Sequence, residues 1–217
     1  MVTRHEFLDM LHYQLTPRGY LEIGVLHGDS LRLARCPAFG VDPNPMPYGH
    51  FAQTTLFRQT SDDFFSRVRP EHLGVPIDFV FIDGLHLFEQ ALRDFRNTEH
   101  LLANSRTVVV FDDVLPRNQE EAAREQCPGD WTGDVWKVWY FLDVHRPDLT
   151  THLVDTQPTG TMVVWDLKPG MPGSWEDPET VEHIRTWEKV PDPILNRLEA
   201  REPNEVLSQL EAWCASQ

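Results

Sequence analysis

Positive charge is scarce in this chain. Nineteen Lys and Arg residues stand against 34 Asp and Glu, a formal net charge of −15 at pH 7. A nucleic-acid groove needs a basic footprint, so nucleic acid is excluded as a partner, and an anionic membrane surface is disfavoured. Solubility alone explains the acid excess. Cysteine is also sparse: Cys36, Cys127 and Cys214 are odd in number, widely separated and form no Cys-x-x-Cys. They read as free thiols in a reducing compartment. No apolar run approaches the ~20 residues of a membrane span. Arg4, Glu6 and Asp9 interrupt the apolar residues near the start, so no signal-peptide core is read there. A cytoplasmic protein is expected. Two nucleotide signatures are missing as well. Leu26 breaks the GxGxxG pattern, and no Gly-Lys-Ser/Thr follows the glycine loop.

The most informative stretch that is present is Asp-Phe-Val-Phe-Ile-Asp-Gly-Leu-His, residues 78–86. Its apolar half, 79–82, predicts a strand buried on both faces of a parallel sheet. The strand stops on Asp83, Gly84 permits a sharp turn, and His86 follows three residues after the acid. Open α/β sheets bind ligands at the carboxyl ends of their strands. A carboxylate and an imidazole therefore fall together where chemistry is usually sited. The plainer reading makes Asp83 a helix cap and His86 a surface residue, and this stretch alone does not separate the two.

The remaining pattern alternates strands and helices, as expected of one α/β domain with some decoration in 217 residues. Phe7, Leu8, Leu11 and Leu15 recur at helical spacing over 3–15. A strand over 20–23 then enters Glu-Ile-Gly-Val-Leu-His-Gly-Asp-Ser, residues 22–30, which reads as strand, glycine turn and a helix over 29–35. Gly24 and Gly28 let the backbone approach a ligand closely, and Ser30 lies where the helix start offers unpaired N–H groups. Glu22 at the strand end would repel a pyrophosphate, which favours a ligand with an amino group or ribose hydroxyls. An ordinary βα turn is the alternative. A second strand over 39–42 ends on Asp42, about 20 residues on, where nucleotide sites place a ribose-binding carboxylate. Asp42 also suits a turn ahead of Pro43, but two acid-terminated strands at this spacing favour a nucleoside.

A third strand over 54–59 leads to Thr60, Ser61 and Asp62, which cap a helix through 68. Ser61 and Asp62 stand where an adenine edge would pass, or they only cap. A helix over 86–103 and a buried strand over 107–111 follow, the latter ending on Asp112 and Asp113. Adjacent acids there are costly without a cation, unless an exposed turn holds them. Residues 115–135 read as a polar, mobile insertion over the site, in the manner of a lid. A helix opens at 134, with Trp136 and Lys137 facing either the substrate or the core. Strands over 151–155 and 161–165 form a hairpin at the sheet edge. The compact fold is expected to close near 168, leaving 169–217 as a helical extension. Val206, Leu210 and Trp213 stripe its last helix and should be buried, with a partner subunit in a homodimer favoured over the chain's own domain.

Five βα units and a terminal hairpin resemble the class I S-adenosylmethionine-dependent methyltransferases. Glu22-x-Gly24-x-x-x-Gly28, Asp42 and the strand-end Asp83 carry the resemblance over roughly 15–168. Leu26 departs from it, since many members carry glycine there. The resemblance implies a Rossmann-like three-layer α/β/α sandwich with a mostly parallel seven-stranded sheet and a C-terminal antiparallel hairpin. It also implies S-adenosyl-L-methionine as cofactor, on Glu22, Gly24, Gly28, Ser30, Asp42, Ser61, Asp62 and Asp83. Ile82-Asp-Gly-Leu-His-Leu-Phe-Glu with Asp94, followed by Val-Phe-Asp-Asp113, is similar to bacterial methyltransferases that include sugar and natural-product O-methyltransferases. That narrower likeness implies Mg²⁺ on Asp83, Asp112 and Asp113, His86 as the base, and a small-molecule hydroxyl or diol as acceptor. Metal-free or nitrogen-directed methyl transfer, and non-catalytic nucleoside binding, are the alternatives.

Overall fold

Short runs of β-branched and aromatic residues pair here into one sheet. The computed structural model describes residues 1–49, 53–128, 130–171 and 177–217. Helix α1 (Arg4–Leu15) comes first, followed by strands β1 (Tyr20–Ile23), β2 (Ala38–Val41) and β3 (Thr54–Phe57). Helices α2 (Ser61–Arg67) and α3 (Pro70–Leu73), strand β4 (Phe79–Ile82), helix α4 (Phe88–Leu101) and strand β5 (Val108–Phe111) continue the chain. Helix α5 (Trp136–His145) precedes β6 (Thr150–Val154) and β7 (Thr161–Trp165). Helices α6 (Pro178–Arg185), α7 (Asp192–Leu195) and α8 (Pro203–Ser216) follow.

The strand order is β3-β2-β1-β4-β5-β7-β6. The first five strands are parallel, and β7 enters antiparallel between β5 and β6. This is the Rossmann-like, mostly parallel seven-stranded sheet with a terminal hairpin. The order reverses between β1 and β4, and the crevice beyond their carboxyl ends is where such sheets bind ligands.

Alternation along β4 divides the core. Val80 and Ile82 join Phe64, Phe88, Phe95 and Trp136 on one face. Phe79 and Phe81 join Phe7, Leu8 and Leu11 of α1 on the other. Successive strand side chains point to opposite faces, so one apolar run serves both layers.

Four expectations change. The helix expected over 29–35 is only a 3₁₀ turn, Leu31–Leu33. Helix α4 begins at Phe88, so His86 lies in the preceding turn rather than on the helix. Leu87 gives α4 no side-chain cap; instead the Phe88 N–H donates to Asp134 Oδ1 at 2.8 Å. The described part of 115–135 is tied down rather than built as a free lid. Arg124 pairs with Glu89 of α4 and with Asp134, and Arg117 pairs with Glu121. Trp136 and Lys137 are buried, Lys137 Nζ reaching Asp134 and the Arg185 carbonyl.

The fourth concerns the tail. Val206 and Leu210 are fully buried against α1 within their own chain, in the same core face. Trp213 is half-buried and its Nε1 donates to Asp166 at 2.7 Å. The stripe thus gives no argument for a second subunit. Ile184 and Ile194 of α6 and α7 pack into the opposite face, so the residues beyond 168 complete both core layers. None of the helices among the described residues is long and apolar enough to cross a membrane.

Candidate active site

Beyond β1 and β4 lies a cavity of about 600 Å³. Gly24, Gly28, Ser30, Asp42, Ser61, Asp62, Asp83 and His86 all line it. Gly24 sits at φ +87°, and a Cβ there would lie 1.9 Å from the Asp83 carbonyl oxygen. Glycine is therefore required for the β1 and β4 ends to come together. Leu26 also adopts a positive φ, 43°, which for leucine carries a cost of roughly 1–2 kcal/mol. Asp42 Oδ2 holds this turn by accepting from the Val25 and Leu26 N–H groups, both at 2.9 Å, while Oδ1 accepts from Asn44 at 2.7 Å. A carboxylate has about four acceptor positions, so one remains for a ligand hydroxyl.

Glu22 departs from its expected place. It is fully buried, outside the cavity wall, and accepts from the Tyr20 hydroxyl at 2.7 Å and from Ser30 at 2.9 Å. Burial pushes its carboxyl up to about 8, against the opposing hydrogen bonds from Tyr20 and Ser30. Its contact with the cavity runs through Ser30. Asp62 is paired with Arg93 at 2.8 Å, and Ser61 Oγ accepts from Gln90 at 3.1 Å. Both residues line the cavity while taking part in helix-to-helix bonding. Part of the 43–53 loop, residues 50–52, lies outside the described residues.

At the mouth of β4 and β5, acids and cations interlock. His86 Nε2 lies 3.3 Å from Asp83 Oδ1, and Nδ1 lies 3.2 Å from Asp113 Oδ2 and 2.8 Å from the Trp131 carbonyl. Burial opposes charge on the imidazole, but the Asp83 hydrogen bond and the Asp113 and Asp83 charges outweigh it and raise His86 to about 9. Asp113 is raised to about 6, first by burial and then by Asp83. It has φ 61°, and Thr159 Oγ1 donates to it at 2.5 Å. Asp112 is pushed well above the carboxylate range by burial, then by Asp113 and Asp83.

Asp112 already has one carboxylate oxygen on a cation, while its Oδ1 is buried without a hydrogen-bond partner. Arg4, from the first turn of α1, bonds to Asp112 Oδ2 and lies 3.4 Å from Asp83 Oδ2. Unit charges ~4 Å apart at an effective dielectric of ~20 interact by about 4 kcal/mol. A guanidinium touching two of the acids thus supplies much of the compensation expected from a metal. Asp83, His86 and Asp113 each offer an atom within 4.8 Å of the others. In that set an imidazole replaces the third carboxylate, whereas Mg²⁺ takes oxygen ligands. The Asp83, Asp112 and Asp113 set expected from sequence does not fit Mg²⁺ as arranged.

A second cavity of about 380 Å³ adjoins the cluster, walled by Arg4, His5, Asp113, Trp131 and Thr159 among others. Trp131 stacks on His86 with ring centroids 5.2 Å apart. Gly133, at φ +57°, presses on the His86 backbone; a Cβ there would lie 1.8 Å from the His86 carbonyl. Arg4, His5, Trp131 and Thr159 had no signal in the sequence, because each reaches the site from a distant part of the chain; Gln90, in the first turn of α4, carries no motif of its own. Only Asp83 and His86 lie in one readable stretch.

Residues 21–114 match a family model described as a methyltransferase domain. No curated protein matches the chain. Among solved structures, cofactor-bound Rv0187 from MTB is similar at a TM-score of 0.60 and 18% identity, covering 76% of this chain and 80% of that one. The methyltransferase PaMTH1 of Podospora anserina, bound to S-adenosylhomocysteine, gives 0.56 and 14%, covering 76% and 79%. The O-methyltransferase TomG of Streptomyces achromogenes, in complex with S-adenosylmethionine, gives 0.52 and 18%, covering 75% and 78%. The fold is that of these methyltransferases, and residues 21–114 carry the methyltransferase-domain match. Within the chain the matched domain runs from β1 to the residue after Asp113.

Proposed function

We propose that this chain transfers the methyl group of S-adenosylmethionine to a hydroxyl oxygen of a small-molecule acceptor. The observation that carries this reading is the Asp83–His86–Asp113 cluster, set between a cavity large enough for the cofactor and a smaller second cavity. The nucleoside end would lie along Gly24, Gly28, Asp42, Ser61 and Asp62, which line the larger cavity. The acceptor would enter beside Trp131 and Thr159.

Methyl transfer is an in-line displacement, and a hydroxyl is a weak nucleophile until its proton leaves. In the proposed mechanism the neutral form of His86, a minority below about 9, takes that proton, so turnover should rise with pH toward about 9; Asp83 and Asp113 orient the ring and stabilise the imidazolium that forms. Holding the two reactants in adjoining cavities supplies the remainder by proximity. The sulfonium carries the methyl group and its positive charge; no step here runs through a metal. The three free cysteines suit a reducing compartment, and the proposal places the chain in the cytoplasm.

Calorimetry with S-adenosylhomocysteine tests the cofactor half. Binding is expected for wild type and for His86→Ala. Methyl-labelled cofactor with a panel of hydroxylated small molecules should give labelled ether with wild type and none with His86→Ala. Binding of NAD in place of S-adenosylhomocysteine, or label arriving only on nitrogen, overturns the reading.

A further inference from the structure

We infer that Arg4 is the resident cation of the carboxylate cluster, standing where Asp83, Asp112 and Asp113 would otherwise call for a divalent metal ion. The inference rests on the proposed reading for what the cluster does, and on geometry alone for how its charge is balanced.

Three acids converge at the ends of β4 and β5, and Asp112 and Asp113 are buried. Such a group needs positive charge close by. Arg4 provides it by contact with both Asp112 and Asp83, while the His86 ring spans Asp83 and Asp113. Each acid thus has a basic side chain against it.

Arg4 is also held there. Thr3 and Glu6 close a capping box at the start of α1, which sets Arg4 as the first helical residue. The Arg4 N–H donates to the Gln157 carbonyl at 3.0 Å, and the Gln157 N–H donates to the Val2 carbonyl at 2.9 Å. Phe7, Leu8 and Leu11, one and two turns on, are fully buried. The cap and the buried helix thus fix where the Arg4 backbone stands, within side-chain reach of the acids.

The position has a second consequence. Arg4 lines both cavities, so its charge borders the space between cofactor and acceptor. A guanidinium stays protonated throughout the working pH range and cannot dissociate into solvent, as a metal can. Arg4 acts as a positioning residue: it fixes the carboxylates that in turn hold His86.

The test is a titration of MgCl₂ into the metal-stripped full chain with S-adenosylhomocysteine bound, read by calorimetry and by thermal melting. Wild type is expected to show no Mg²⁺ binding below the millimolar range, and its melting temperature should not respond to EDTA. Arg4→Met leaves the acids uncompensated and is expected to bind Mg²⁺ at least ~tenfold more tightly than wild type. Arg4→Lys keeps a positive charge and should return the wild-type behaviour. Sub-millimolar Mg²⁺ binding by wild type overturns the inference, and that result stands even if Arg4→Met does not fold. A folded Arg4→Met chain that gains no Mg²⁺ affinity overturns it equally. Retained binding of S-adenosylhomocysteine in either case leaves the methyltransferase reading intact, so the two failures are distinguishable.

Discussion

His86 concentrates the chemistry of the site in one ring. Its two nitrogens face carboxylates on different strand ends, and the Trp131 carbonyl fixes the Nδ1 side. A histidine raised to about 9 is cationic at neutral pH. The folded state therefore binds its proton more tightly than the unfolded chain, whose histidines titrate near ~6.5. The resulting stability is fully present below ~6.5 and is lost as pH rises through about 9. An NMR titration of the His86 ring protons should give a midpoint near 9, and Asp113→Asn should move it lower, because one stabilising anion is gone. A wild-type midpoint near 6.5, unmoved by Asp113→Asn, would contradict the arrangement. At this scale the sequence was legible where residues are local. Asp83, Gly84 and His86 stand in a single turn after β4, and their adjacency in space follows from adjacency in the chain. Arg4 was not legible. In the sequence it is one of the charges on the first turn of an amphipathic helix, and only tertiary packing brings it to Asp112. Adjacent acids at Asp112 and Asp113 call for a cation, and nothing local in the sequence says which one.

At the scale of elements, Asp134 joins a loop to a helix. It accepts from the Phe88 N–H at the start of α4 and receives both Arg124 and the buried Lys137. Burial lowers the lysine's pKa, with the Asp134 hydrogen bond working against that shift. Asp134→Ala removes the cap and leaves Lys137 buried without its carboxylate. Breaking a buried pair on one side costs roughly 3–5 kcal/mol, and urea unfolding should show a loss of this order. A change below ~1 kcal/mol would mean that Asp134 is no anchor. The element pattern itself was largely readable. Apolar runs gave the strands, and Thr60 gave the α2 cap through its bond from the Asp63 N–H. The start of α4 is not readable locally, because α4 takes its cap from a residue 46 positions away. A polar, proline- and glycine-containing stretch such as 115–135 looks mobile in sequence. Its acids and arginines are instead spent on each other and on α4, which no local pattern records.

For the whole molecule, α8 completes a layer begun by α1. Leu210 is fully buried among the α1 residues of the same core face. Leu210→Ala should cost about 2–5 kcal/mol by leaving a cavity, measured as a lowered urea midpoint. Light scattering should give the same mass for variant and wild type. A change in subunit number with unchanged monomer stability would point back to an intersubunit role. The amphipathic stripe was visible in the sequence, but what it covers was not: periodicity shows that a face is apolar without showing which surface meets it. The sheet order adds a temporal consequence. Strand β5, which carries Asp112 and Asp113 at its end, acquires its second neighbour only when β7 pairs with it. The start of α1 has to wait for the distant Gln157 before Arg4 is anchored. Contacts so far apart along the chain form slowly and after the local ones. The reactive centre is thus assembled late in synthesis. A chain arrested before β7 has its parallel strands but neither the closed β5 edge nor the anchored arginine, and that open edge is the surface on which two unfinished chains would pair.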